Sequence, residues 1–276
     1  MSALRLVKAH GLGNDFLVLA EPLDEVIVPG SVADGVWSER ARDWCGRRRG
    51  IGADGLLVSS APCGAALTMT LYNADGSRAE MSGNGIRCFV HALITAEVVT
   101  ADRVEIDTDA GQRTVTVVRR AGDEMVSSVS MGAVGAGTEP SGWSAIGVNP
   151  DRPVAHLSLG NPHAVVGVDD VHAVDLGTLG AMVPDVNLEV VAPGPGPHDV
   201  TMRVHERGVG VTEACGTGAC ATAVAALEWG LVAPDADGAV GVHMAGGSVR
   251  VFVDRASRTA VLEGPSVVIA DIWVEQ

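Results

Sequence analysis

The chain has 276 residues, 47% hydrophobic and only 3% aromatic, and 34 acidic against 19 basic residues give a formal charge of −15. That length suits one large domain or two of similar size, each able to bury a core without disulfide or metal staples. The acidic balance argues against nucleic acid and anionic membrane surfaces, and no apolar run is long enough to span a bilayer. With no signal-peptide stretch at the start, the cytoplasm is the expected compartment. Lys8 is the single lysine. A pyridoxal phosphate enzyme needs a lysine for its Schiff base, so that chemistry is disfavoured. The five cysteines (Cys45, Cys63, Cys88, Cys215 and Cys220) form no CxxC pair and no zinc-ligand pattern, which reads as reduced thiols.

In chain order, the first predicted helix is 34–45, polar on one side and ending near Gly46. A β-branched run at 67–72 predicts a strand, and an apolar helix follows at 85–98. Strands are predicted at 104–107, 113–118 and 125–131, then a Gly-, Ser- and Pro-rich linker at 132–151. Beyond it come strands 156–159 and 202–204, a second apolar helix at 218–229, and strands 249–253 and 267–272. Helices apolar over most of their circumference belong in a core. The pattern predicts an α+β protein of two similar lobes, each wrapping a curved, mostly antiparallel sheet around a central helix.

A repeat supports that reading. Ser82-Gly83-Asn84-Gly85 with its apolar continuation returns as Cys215-Gly216-Thr217-Gly218, 133 residues later. Leu12-Gly13-Asn14 returns as Leu159-Gly160-Asn161, and 111–118 resembles 246–253. Asn73 and Glu206 fall at equivalent positions ahead of the two Gly-x-Gly motifs.

The second motif carries the clearest chemistry. A thiol at a helix N-terminus sits where free N–H groups and the dipole favour thiolate, and those N–H groups can also hold a carboxylate. Arg207, beside a Gly-rich turn, suits bidentate carboxylate recognition. Asn161, His163 and Asn187 add polar groups that alone would pass for turn or core residues, and Arg47-Arg48-Arg49 reads as a solvated surface cluster. Gly216-x-Gly218-x-x-Ala221 also fits a dinucleotide fingerprint, but 209–214 makes a poor buried parallel strand and regular βαβ alternation is missing.

Taken together the motifs resemble the diaminopimelate epimerase family. Those that match, in order, are His10 to Phe16, Gly50 to Gly55, Asn73 to Ser77, Ser82 to Gly85 with Arg87 to Phe89, Gly160 to His163, Glu206 to Gly208, and Ala214 to Ala219. The resemblance implies two pseudo-twofold-related lobes, 1–122 plus 265–276 and 123–264, with the active site in the cleft between them. It implies a cytoplasmic homodimer that needs no cofactor or metal and converts LL-2,6-diaminopimelate to the meso isomer in lysine and cell-wall precursor biosynthesis. One sulfur would remove the α-proton while a second group on the opposite face returns one. The catalytic positions carried over are Cys215 and Ser82, with His163 and Glu206 helping to set ionisation. Gly83, Asn84, Gly216 and Thr217 would cradle the α-carboxylate. Asn14, Asn73, Asn187 and Arg207 would grip the distal amino-carboxylate end, with Asn161 and Glu206 nearer the reacting carbon.

Ser82 departs from the family, which carries cysteine there. A hydroxyl ionises far less readily than a thiol near pH 8.5, and Cys88, roughly two turns along the helix, cannot substitute. An engineered replacement, a natural serine–cysteine epimerase with lopsided turnover, and a divergent relative remain open. The divergent relative would be a racemase or isomerase of another amino acid, or a ligand-binding protein without turnover.

Overall fold

Short β-branched runs punctuated by Gly, Pro and Asp fold into strands, and the two strongly apolar helical segments fold into the interior. The computed structural model describes residues 3–61 and 66–275; Cys63 lies outside the described residues. The chain divides into two compact units, Met1–Val129 with Gly264–Gln276, and Ser130–Glu263.

In the first unit, Ala3–Gly11 turns back through Leu12 and Gly13, both at positive φ, into antiparallel Asn14–Leu19. Helix α1 (Val32–Cys45), capped by Ser31, leads to Gly55–Ser60, which runs parallel to Asn14–Leu19 with Gly55 opposite Phe16. Leu67–Asn73 and the short Arg78–Ala79 follow, both antiparallel. Helix α2 (Gly83–Thr95) comes next, then Arg103–Thr108, Gly111–Ala121 and Glu124–Ala133. Residues Gly83 through Leu93 of α2 are all buried. Helix α1 instead covers the outer side of the strands. Its Trp37, Ala41 and Cys45, one turn apart, pack against Leu6, Leu17, Leu56 and Tyr72.

The second unit repeats this succession. Val154–Ser158 is antiparallel to Pro162–Gly167, which runs parallel to Asn187–Pro193 with His163 opposite Asn187. The crossover contains the seven-residue α3 (Leu176–Met182). Asp199–Glu206 and Gly210–Thr212 pair antiparallel, α4 (Gly216–Glu228) follows, then Ala239–Met244, Gly247–Asp254 and Thr259–Glu275. The last strand pairs with Gly247–Asp254 along its first part and with Ala3–Gly11 along its remainder. The fold is α+β, two similar lobes with a central helix in each.

Several sequence expectations move. Helices α2 and α4 each start two residues early because Ser82 and Cys215 are themselves the N-caps. Helix α2 stops at Thr95, not 98, as Glu97 turns left-handed at φ 61°. The 132–151 stretch is no free linker. It contributes Gly135–Ala136 and a 3-10 turn, Trp143–Ile146, whose buried Ile146 joins the second unit's core while Trp143 packs edge-on against His156.

Candidate active site

Each central helix begins at a small nucleophile whose side chain caps it. Ser82 Oγ accepts from the Gly85 N–H at 3.0 Å. Behind it, the buried Arg87 donates to the Gly83 carbonyl at 2.8 Å and to Asn84 Oδ1 at 2.7 Å, fixing the first turn of α2. Asn84 Nδ2 reaches Asn14 Oδ1 at 3.5 Å. Asn14 in turn donates to Asp54 Oδ2 at 2.8 Å. Asn73 ends its strand opposite Gly55 and donates to Ser77 Oγ at 3.0 Å.

Asn14 is held by an ion-pair network. Asp15 receives Arg47 Nη2 at 2.7 Å and pairs with Lys8 Nζ at 3.2 Å, and Arg47 also reaches Asp54 at 2.7 Å. Burial pushes the Asp15 carboxyl pKa up, but hydrogen bonds from Arg47 and Lys8 outweigh it and hold it below its ordinary value. Arg47 is exposed, as its Arg-Arg-Arg run suggests, and from the surface its guanidinium also clamps the Asn14 turn. Lys8 is likewise engaged, donating to the Gly52 carbonyl at 2.6 Å.

In the second unit, Cys215 Sγ accepts from the Gly218 N–H at 3.4 Å and lies 3.5 Å from Thr217 Oγ1. Asn161 Nδ2 donates to that same Thr217 oxygen at 3.1 Å, and its Oδ1 lies 3.1 Å from His163 Nε2. On its other side His163 Nδ1 meets Glu189 Oε1 at 2.6 Å, with both side chains fully buried. Glu206 Oε1 accepts from Thr212 at 2.5 Å. Asn187 Oδ1 accepts from the Arg207 backbone N–H at 2.8 Å, which leaves the exposed Arg207 guanidinium at the turn.

The helix N-terminus does not win the contest over the sulfur. Burial, then the charge of Glu206, drives the Cys215 thiol well above its ordinary pKa, against the smaller pull of Thr217 and the Gly218 N–H. At rest Cys215 is a thiol, and its thiolate depends on those donors. Burial also pushes Cys45 and Cys88 up to about 12. Cys88, buried within α2, is no replacement for a base at position 82.

The structure brings Asn161, His163, Cys215 and Thr217 into one hydrogen-bonded group and joins Asn14, Asn84 and Gly83 through Arg87. Glu189 was absent from the sequence motifs. Its signal was the pattern Asn187-x-Glu189 on one strand face beside His163, a buried acid where an alternating strand has an apolar residue. The dinucleotide reading fails on topology, since Gly210–Thr212, just ahead of Cys215, is antiparallel to its neighbour. Among the described residues no group of three or more His, Cys, Asp or Glu is placed to hold a metal ion, and no helix is long and apolar enough to cross a membrane.

The model of the diaminopimelate epimerase family matches residues 6–135 and 156–269. Similar proteins include diaminopimelate epimerases from Mycolicibacterium paratuberculosis, 38% identical over 97% of this chain and 95% of that one, and Methanothermobacter thermautotrophicus, 34% identical over 96% of each. Among solved structures, a hydroxyproline epimerase from Agrobacterium vitis aligns with a TM-score of 0.68 at 18% identity, over 99% of this chain and 91% of that one. A PhzF-family phenazine biosynthesis protein from Bacillus anthracis gives 0.69 at 13%, over the full length of both. At such identities these two speak to fold alone, and they place the α+β architecture. Matched in sequence along nearly its whole length, the chain belongs to the diaminopimelate epimerase family.

Proposed function

We propose that the chain is a cofactor-independent isomerase that inverts one α-centre of LL-2,6-diaminopimelate to give the meso isomer in lysine and cell-wall precursor biosynthesis. The observation that carries this reading is the repeated half-site, a nucleophile at the N-cap of a buried helix behind a Gly-x-Gly turn. An α-proton beside a carboxylate is weakly acidic, so removal without an electron sink requires charge stabilisation as the carbanion develops. Each helix N-terminus, at Gly83-Asn84 in one unit and Gly216-Thr217 in the other, offers N–H groups and a positive dipole end suited to a carboxylate. Asn14, Asn73, Asn187 and the Arg207 guanidinium supply neutral and cationic groups for the distal end.

Cys215 is the proton-transfer group of this pair. As a thiol it donates to one face of the carbanion; as a thiolate, held by Thr217 and Gly218, it abstracts from that face. His163 and Glu206 set its ionisation. Ser82 can lend its hydroxyl proton, since its oxygen already accepts from Gly85, but it makes a poor base. Exchange through Cys215 is therefore fast and full inversion is limited at Ser82. The free thiols Cys45, Cys88 and Cys215 favour a reducing compartment, the cytoplasm, and family membership favours a homodimer.

The test is to assay this chain and Ser82→Cys side by side on LL-diaminopimelate. Restoring a titratable thiol raises net epimerisation by about 10²-fold or more, the usual worth of a positioned general acid–base group. No gain, with intact binding, would favour the ligand-binding relative, and α-proton exchange on a different amino acid would favour the alternative racemase.

A further inference from the structure

Glu189 has no part in the motifs, yet its hydrogen-bond chain leads to Cys215. Its strand runs parallel to Pro162–Gly167 with Asn187 opposite His163 and Glu189 opposite Val165, so His163 and Glu189 share one sheet face. The first turn of α4 presses on that face. A Cβ at Gly218 would fall 2.7 Å from Glu189 Oε1 and 3.3 Å from Cys215 Sγ. From Glu189 a continuous line passes through His163, Asn161 and Thr217 to the sulfur.

The polarity of this line follows from its members. Asn161 presents Oδ1 to His163, so the imidazole carries its hydrogen on Nε2. Asn161 gives an N–H to Thr217, which leaves the Thr217 hydroxyl proton for the sulfur. At the far end one proton must lie between Nδ1 and Glu189 Oε1. The other carboxyl oxygen, Oε2, is buried without a hydrogen-bond partner, and an ionised carboxylate would strand charge there. Burial accordingly raises the Glu189 pKa. The proton stays on the carboxyl, whose O–H donates to Nδ1.

We propose that Glu189 is a positioning residue: as a neutral acid it donates to His163 Nδ1, fixes the Nε2–H tautomer, and thereby holds Asn161 and Thr217 with a hydroxyl proton aimed at the Cys215 sulfur. Neutrality is part of the role, because Cys215 already faces Glu206 and a second buried anion would oppose thiolate formation. Among the described residues of the other unit no such line is formed. By register, Phe16 and Leu57 occupy the positions of His163 and Glu189. This inference rests on Cys215 being the proton-transfer group of the proposed reaction.

Three readings test it on the full chain. The first is the ¹⁵N resonances of His163 in the unmutated protein, which distinguish a neutral Nε2–H ring from an imidazolium. The second is the pH profile of Cys215 alkylation by iodoacetamide, followed by mass spectrometry, in the unmutated chain, Glu189→Gln and Glu189→Leu. The third is solvent exchange of the diaminopimelate α-proton. A Gln amide can donate to Nδ1 as the neutral acid does. The expected result is a neutral Nε2–H ring, a Gln variant close to the parent in all three, and a Leu variant with a displaced alkylation profile and exchange reduced roughly tenfold to a hundredfold. An imidazolium signal, a Gln variant as impaired as Leu, or a Leu variant matching the parent would each overturn the proposal. The resonance and alkylation readings need no turnover of diaminopimelate, so failure of the assigned reaction is seen separately.

Discussion

The two half-sites share one backbone plan and differ in what they can do with a proton. In the first unit the capping nucleophile is Ser82, and the positions around it carry Asn14, Phe16, Gly55, Leu57 and Asn73. In the second the nucleophile is Cys215, and the matching positions carry Asn161, His163, Asn187, Glu189 and Glu206. Every ionisable group among these ten lies in the second unit. The first unit spends its charges behind the Asn14 turn, where Lys8, Asp15, Arg47 and Asp54 brace the backbone. The helix N-terminus and its glycines thus recur in both units, while the ionisable side chains in register around them do not.

The sharpest way to break this contrast is to silence the second half-site. Cys215→Ala should lower α-proton exchange by about 10⁴-fold, measured by ¹H NMR in D₂O, because the other capping nucleophile, Ser82, is a poor base. Next in size is the brace of the first half-site. Asp15→Asn should cost about 2–3 kcal/mol in denaturant unfolding at neutral pH, since Lys8 and Arg47 lose their shared anion. Because the folded Asp15 pKa is depressed, its contribution is present above the ordinary carboxylate pKa and is lost as pH falls through the lowered value. The parent should thus lose stability below about pH 4 by more than Asp15→Asn does. The smallest effect separates the two helix starts. Gly218→Ala drives a methyl into the Glu189 carboxyl, whereas Gly85→Ala meets Ser82 Cβ at 3.0 Å and Phe16 at 3.4 Å. Both should destabilise by about 1–3 kcal/mol, but only Gly218→Ala should also shift the alkylation profile of Cys215.

The two central helices, the repeat and most polar residues of the candidate site are legible in the sequence, because Gly-x-Gly turns and apolar helical runs are local signals. The Arg47-Arg48-Arg49 run is exposed as it reads, but the ion pair of Arg47 with Asp15, 32 residues away, is not visible in it. Glu189 stayed hidden for the same reason: its partner His163 is 26 residues away on a parallel neighbour. At Cys215 the helix N-terminus favours thiolate, and burial opposes it more strongly. The helix dipole is visible from sequence, while burial and the nearby Glu206 emerge only once α4 is packed on the sheet.

The most direct measurement follows deuterium into the α-position from D₂O, starting separately from each stereoisomer at the reacting centre. The stereoisomer whose proton faces Cys215 should exchange readily, and the one whose proton faces Ser82 slowly, with the gap closing in Ser82→Cys. Equal exchange from both stereoisomers in the unmutated chain would contradict the assignment of Cys215 as the effective base and Ser82 as the limiting one.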